Sequence, residues 1–286
     1  MGISITPAPK KACMKYRHFL PIGLLAIAVL IQAQDRTLVD PLALRIGSAG
    51  LHAQGPLSTV LSQLGLSLET GYIVFGVDVA LGGNGEEPYI DLELNAGNTL
   101  GDAIHSLKVQ LPDYEWKVVS NHLLNVYPSS PAGEKSILDV RVSAFSLNEY
   151  PERLFINPQA FMPELQSALA ALQGTKGGTG GYGGSTATGF GRAVALQLRD
   201  MTIRDIFNAT SDAMISNFPA NQTPLGWVHL TTIQTASGFV EHSWKAHVSV
   251  NLANWTAANK RPVAQPSARG RASGTTTRPA RKPETP

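Results

Sequence analysis

Cysteine is almost absent from this chain of 286 residues, which contains only Cys13. One cysteine cannot close an internal disulfide bond, so the fold must be stabilised by a buried apolar core. A chain of this length, with 43% hydrophobic residues, is large enough to build such a core. The scarcity of cysteine also argues against a scaffold held together by disulfide bonds and against a thiol-based catalytic site.

The usual sequence motifs of catalysis are also missing. No serine lies in a Gly-x-Ser-x-Gly motif, and no Gly-Lys-Ser/Thr phosphate-binding motif occurs. The segment Gly178–Gly183 has the spacing of a dinucleotide-binding motif, but it lacks the preceding strand, the following helix start and the later acidic residue. We therefore predict that the protein is not an enzyme, with no catalytic, cofactor-binding or metal-binding residues and no cofactor.

Acidic residues are absent from the first 33 positions, which contain four Lys/Arg residues. Residues 34–256 carry 12 basic and 20 acidic side chains, whereas residues 257–286 carry seven basic and one acidic side chain. The acidic body disfavours nucleic-acid binding. We expect the basic tail to be disordered. Its positive charge would favour binding to an anionic polymer of the cell envelope.

Residues 1–33 are typical of a signal peptide. Lys15–His18 forms a basic region, Phe19–Ile31 is apolar, and a small residue at Ala33 suits cleavage. The apolar run of 13 residues is too short to cross a bilayer. We therefore predict a periplasmic or secreted protein, with Met14 as a possible initiator. After cleavage it would contain no thiol.

Two stretches of the chain resemble each other. Asn98–Leu107 reads NTLGDAIHSL and Met201–Thr210 reads MTIRDIFNAT, and each follows a short Leu-x-Leu segment. The threonine followed three residues later by aspartate predicts a capping box at the start of a helix, at Thr99 and again at Thr202. The repetition indicates that one folding unit has been used twice.

The hydrophobic pattern predicts an α+β fold of two small βαββαββ-like modules, with mixed sheets and helices packed on one face. The first module covers residues 34–130. The second covers residues 137–256 and contains a glycine-rich insertion at 174–191. Strands are predicted at Leu42–Ile46, Tyr72–Phe75, Ile90–Leu94, Tyr114–Val119, Leu123–Tyr127, Ile137–Ala144, Ala193–Leu198, Trp227–Ile233 and Phe239–Val250. Helices are predicted from Leu57, from Thr99, over Met162–Leu172 and over Thr202–Met214.

The first module resembles the secretin and TonB short N-terminal domain family, and the second resembles a divergent copy. The resemblance covers about residues 42–128 and depends on LRIGSAGLHAQGPLSTVLSQLG, GYIVFGVDV, IDLELNAGNTLGDAIHSL and YEWKVVSNHLLNVYP. The matching positions are Leu57, Val60, Leu61, Leu64, Asp78, Leu92, Leu94, Thr99, Leu100, Ala103 and Ile104. The chain departs from the family by insertions at Leu66–Thr70 and Leu81–Pro88. The resemblance implies a free-standing periplasmic version with a docking or assembly role.

An enzyme or a metal-binding protein would instead need a cluster of ionisable residues. His242 and His247 are five residues apart on a predicted strand and should therefore face opposite sides, which argues against a shared metal ion. His105 and Asp102 are neighbours on a helix, and an enzyme would require them to meet His122 in a cleft. Two acidic pairs have simpler explanations than catalysis. Glu86–Glu87 is predicted to lie in a loop, and Asp91 and Glu93 are predicted to lie on the solvated face of a strand.

The leading functional interpretation is a non-enzymatic protein-interaction module of the cell envelope. Its predicted partner is an outer-membrane or secretion-system protein, bound by adding a strand at Tyr72–Phe75 or Leu123–Tyr127. The alternative is an envelope-associated ligand- or polymer-binding protein anchored through its basic tail. No nucleic-acid partner is expected.

Overall fold

A computed structural model describes residues 40–81, 85–129, 136–176, 192–234 and 239–259. All of these residues belong to one compact unit that begins at Asp40. The predicted signal peptide, most of the glycine-rich insertion and nearly all of the basic tail lie outside the described residues. Within the described ranges, no helix is long and apolar enough to cross a membrane.

Nine strands and six helices are present in the described residues. The strands are β1 (Leu51–Pro56), β2 (Val74–Leu81), β3 (Tyr89–Leu94), β4 (Tyr114–Ser120), β5 (Leu123–Pro128), β6 (Arg141–Glu149), β7 (Val194–Thr202), β8 (Gly226–Gln234) and β9 (Phe239–His247). The helices are α1 (Leu57–Leu66), α2 (Leu100–Gln110), α3 (Pro151–Ile156), α4 (Pro163–Lys176), α5 (Ile203–Asn217) and α6 (Leu252–Asn259).

The strands form one central sheet and two small ones. The central sheet has the order β4-β5-β2-β8-β9, and the pairs β1-β3 and β6-β7 stand apart from it. Strand β2 is parallel to both of its neighbours, while β4-β5 and β8-β9 are antiparallel. The predicted α+β class with mixed sheets is therefore confirmed. The central sheet also combines strands from both predicted modules, because β2 pairs with β8.

Both faces of the central sheet are covered. On one face, Phe75, Val77 and Val79 of β2 join an apolar core with α1 and α2. On the other face, Val74 joins a second core that includes α5 and the aromatic residue Phe207. Successive side chains of a strand point to opposite faces, so the continuous apolar run of β2 fits a strand buried on both sides.

The two Thr-x-x-Asp sequences lie at the starts of helices α2 and α5, as predicted. The Thr99 hydroxyl accepts from the Asp102 amide at 3.1 Å, and the Asp102 carboxylate accepts from the Thr99 amide at 2.7 Å. At α5, the Thr202 hydroxyl likewise accepts from the Asp205 amide at 3.1 Å. In both helices the cap is formed by residues only three positions apart.

Several predicted elements were wrong in position or were missed. The strand predicted at Leu42–Ile46 is a 3-10 turn over Pro41–Ala43, because the Asp40 side chain caps the Leu42 amide. Only two isolated bridges follow it. The strand predicted from Ile137 likewise begins with a 3-10 turn, capped by Ser136. Strand β1 and helices α3 and α6 were not predicted.

Gly76 allows the two halves of the central sheet to meet closely. It pairs with Trp227 across the β2-β8 junction, and the indole ring occupies the space that a Cβ atom at position 76 would need. Gly76→Ala should therefore force the ring or the strand to move and lower the free energy of unfolding by about 2 kcal/mol. Urea unfolding would measure this loss. The control Ala80→Ser, at the exposed end of β2, should change it by less than ~0.5 kcal/mol, and equal stabilities would contradict the argument.

Candidate functional site

The most exposed strand of the central sheet is its outer strand β4. Among the described residues, β4 pairs with β5 alone. Val118 and Val119 are 42% and 36% exposed, whereas Trp116 is half-buried against the core beneath α1 and α2. The other outer strand, β9, is contacted by α3 and α4. β4 is therefore the more accessible edge of this sheet.

The backbone groups of β4 alternate between β5 and the open side. The Asp113 carbonyl accepts from the Ser129 amide, which places position 113 in a hydrogen-bonded pair. Alternation then directs the peptide groups of Tyr114, Trp116 and Val118 away from β5. The Tyr114 amide is used locally, since it donates to the Leu111 carbonyl at 3.1 Å.

A β-bulge ends the regular part of this edge. The register between β4 and β5 is continuous from Tyr114 to Val118 and shifts between Val118 and Ser120. The Ser120 hydroxyl donates to Asp212 of α5 at 3.0 Å, which attaches the end of the strand to the body. Bulges and charged residues such as Lys117 are common on edges because they limit uncontrolled pairing.

The two edges predicted from sequence were wrong. Of the predicted edge Tyr72–Phe75, only Val74 and Phe75 lie in β2, and β2 is enclosed between β5 and β8. Leu123–Tyr127 lies in β5, which is enclosed between β4 and β2. The ladder groups of both strands are already paired, so neither can accept a further strand. Apolar residues on both faces of β2 were the signal that could have indicated an interior strand.

A buried ionisable network lies in the same sheet. The His229 Nδ1 atom is 2.8 Å from Asp78 Oδ1, and His229 Nε2 is 3.0 Å from His242 Nδ1. The Arg204 guanidinium donates to Asp78 Oδ2 at 3.2 Å and lies 4.6 Å from the centre of the Tyr127 ring. These groups come from β2, β5, α5, β8 and β9. The network therefore links both halves of the fold.

The charges in this network are set by burial and by the neighbouring groups. Burial by itself would raise the pKa of Asp78, but His229 and Arg204 outweigh burial and hold the pKa below its ordinary value. The ionised carboxylate therefore accepts the Nδ1–H of His229. The His229 Nε2 and His242 Nδ1 atoms share one hydrogen between them, so one ring donates and the other accepts. Burial, followed by repulsion from His229, lowers the pKa of His242 to about 4.

The two imidazoles are arranged as a hydrogen bond rather than as a metal site. Their rings are nearly coplanar, at 11°, and the ring centres are 5.2 Å apart. The distance between the ring centres is close to the sum of the two ring radii and the 3.0 Å between His229 Nε2 and His242 Nδ1. The two nitrogens therefore lie on the line that joins the ring centres and face each other. Ligands of one metal ion would instead point to a common apex beside that line. Over the described residues, no group of three metal-binding side chains is present.

His242 and His247 lie apart on β9, as their spacing predicts. His242 contacts His229, whereas the His247 ring packs against Phe75 at 6.3 Å between ring centres. These contacts are with the cores on opposite faces of the sheet. Burial alone lowers the pKa of His247 to about 4.

The other candidate residues have separate structural roles. Asp102 caps α2, and His122 stacks on Tyr72 at 4.3 Å, so the structure does not show the arrangement with His105 that an enzyme would require. Glu87 accepts from the amide and hydroxyl of Ser58 at 2.9 and 3.0 Å, at the start of α1.

The acidic pair Asp91 and Glu93 is exposed on β3. The Asp91 carboxylate accepts from the side-chain amide of Gln54 at 3.0 Å on an exposed surface, and Glu93 is exposed on the same strand. Sequence reasoning missed the contact between Asp78 and His229, because these residues are far apart in the chain and carry no joint motif. The positions of His229 and His242 within a predicted hairpin could have suggested their proximity.

No protein-family model, no curated protein and no solved structure matches the chain. The resemblance to the secretin and TonB short N-terminal domain family stays a prediction from its residues.

Proposed function

We propose that the protein is an exported, non-enzymatic interaction module of the cell envelope that docks by adding a strand at β4. The observation that supports this proposal best is the open edge formed by Trp116 and Val118. Their outward peptide groups can pair with an extended segment of another protein, as in β-strand addition. The exposed side chains of Val118 and Val119 add apolar contact area.

The buried network has a structural role under this proposal. Arg204 and Asp78 neutralise each other, and His229 connects Asp78 to His242. The pairing of β2 with β8 then gives the outer strand a rigid five-stranded support. Pre-organised edges bind with a smaller entropy cost than edges that must first become ordered.

Site-specific photo-crosslinking in living cells would test the docking edge. A benzoylphenylalanine at position 118 should capture an outer-membrane or secretion-system protein, identified by mass spectrometry. The same group at position 109, where Val109 is 73% exposed on α2, is the matched control and should not capture it. Equal capture at both positions, or no partner at position 118 apart from the protein itself, would count against the proposal.

A further inference from the structure

The charges of β4 form a self-complementary pattern. Glu115 and Lys117 are both exposed and lie two residues apart, so they share one face of the strand. Trp116 lies between them with its side chain on the opposite face. If a second copy of β4 runs antiparallel and is centred on Trp116, each Glu115 lies opposite Lys117 of the other copy. The two-fold symmetry produces this opposite-charge pair twice.

The backbone supports the same register. The Trp116 amide and carbonyl point away from β5, so two Trp116 residues can exchange a reciprocal pair of hydrogen bonds. The outward Val118 amide can also reach the Tyr114 carbonyl of the second copy. Trp116 is the midpoint of the regular stretch from Tyr114 to Val118, and the bulge after Val118 marks where pairing ends.

Neighbouring symmetric registers are disfavoured by charge. A pairing centred on Lys117 places two lysines directly opposite each other, and one centred on Glu115 places two glutamates opposite each other. Like charges at directly opposed positions destabilise a strand pair. Lys117 thus opposes the first alternative and Glu115 opposes the second, while the two together favour the register centred on Trp116.

We propose that β4 pairs with β4 of a second copy of this chain, antiparallel and centred on Trp116, so that the two central sheets become continuous. This inference rests on the proposed function in using the same docking edge. It identifies the occupant of that edge when no envelope partner is bound. An incoming partner strand would then replace the second copy.

Charge exchange provides the test, with sedimentation equilibrium of the purified full-length protein as the measurement. Glu115→Lys or Lys117→Glu alone places like charges at both symmetric positions and should raise the dimer dissociation constant about tenfold or more. The double exchange should restore dimerisation. An equimolar mixture of the two single variants should form a heterodimer, because one strand then carries two lysines and the other two glutamates.

A backbone variant provides an independent measurement. Val118→Pro removes an outward amide that β5 does not use, and proline is tolerated on the open side of an edge strand. This variant should lose dimerisation while its circular dichroism spectrum stays unchanged, and Val118→Thr is the matched control. A monomeric wild-type protein, or single charge variants that dimerise as tightly as wild type, would overturn the inference. Because these measurements use purified protein, they can fail while the envelope crosslink at position 118 succeeds, and the reverse is also true.

Discussion

Replacement of Asp78 by Asn is expected to lower the free energy of unfolding by about 3–5 kcal/mol, the usual cost of removing one partner from a buried ion pair. The Asp78 and Arg204 side chains are only 7% and 14% exposed. Asparagine keeps the shape of aspartate but removes the charge that neutralises Arg204. It also removes the carboxylate that His229 contacts at 2.8 Å. Urea unfolding at neutral pH measures the loss.

A second carboxylate beside Arg204 provides the control. Asp139 lies 3.7 Å from the Arg204 Nε atom, but its side chain is 43% exposed. Asp139→Asn should therefore cost less than about 1 kcal/mol, as is usual for a solvated ion pair. If both substitutions cost the same, the buried charge of Asp78 does not hold the two halves together.

The charge of Arg204 can be removed as a further check. Asp78→Asn combined with Arg204→Met removes the guanidinium together with its buried carboxylate partner, so the double variant should be more stable than Asp78→Asn alone. A double variant that loses the sum of both single effects would indicate that the two side chains act independently. The expected sign therefore tests the pairing itself rather than the general sensitivity of the core.

Sequence reasoning located those parts of the fold that depend on neighbouring residues. The starts of α2 and α5 were predicted because Thr99 and Thr202 each satisfy an amide only three residues away. Strands with one wet face, such as β3, were recognisable from the alternation of Ile90, Leu92 and Leu94. In such segments, the residues that decide the structure lie within one turn or one strand.

The pairing of β2 with β8 could not be predicted in the same way. Asp78 and His229 meet because two strands about 150 residues apart in the chain lie side by side, and no local signal fixes their register. The same pairing makes β2 an interior strand, whereas β4 is an outer strand because it pairs with β5 alone in the described residues. The open edge at β4 therefore follows from topology, whereas both edges chosen from local patterns are interior.

Acidification should destabilise the protein, because His242 and His247 are buried as neutral groups. The folded state lowers the pKa of each from 6.5 to about 4. Because the pKa of each histidine is lower in the folded state than in the unfolded chain, the unfolded chain binds a proton at a higher pH and is stabilised as the pH falls. Each histidine therefore contributes its full stabilisation above about pH 6.5 and loses it progressively down to about pH 4. The total is about 3 kcal/mol for each residue.

A comparison of pH 7 with pH 5 isolates the histidines from most carboxylates. The lowered pKa values of Asp78, Asp102 and Glu164 cause losses mainly below pH 5. Burial raises the pKa values of Glu152 and Asp212, so these two groups oppose the histidine effect as the pH falls. Each buried histidine should account for a loss of about 2 kcal/mol over this interval.

His247→Leu should remove one of these two contributions. Because Leu cannot bind a proton, the difference in unfolding free energy between pH 7 and pH 5 should shrink by about 2 kcal/mol. The control Phe75→Leu alters the ring that His247 contacts but removes no titratable group, so it should lower stability equally at both pH values. A His247→Leu variant with the wild-type difference would show that protonation of His247 does not oppose folding, and that the acid sensitivity arises elsewhere in the chain.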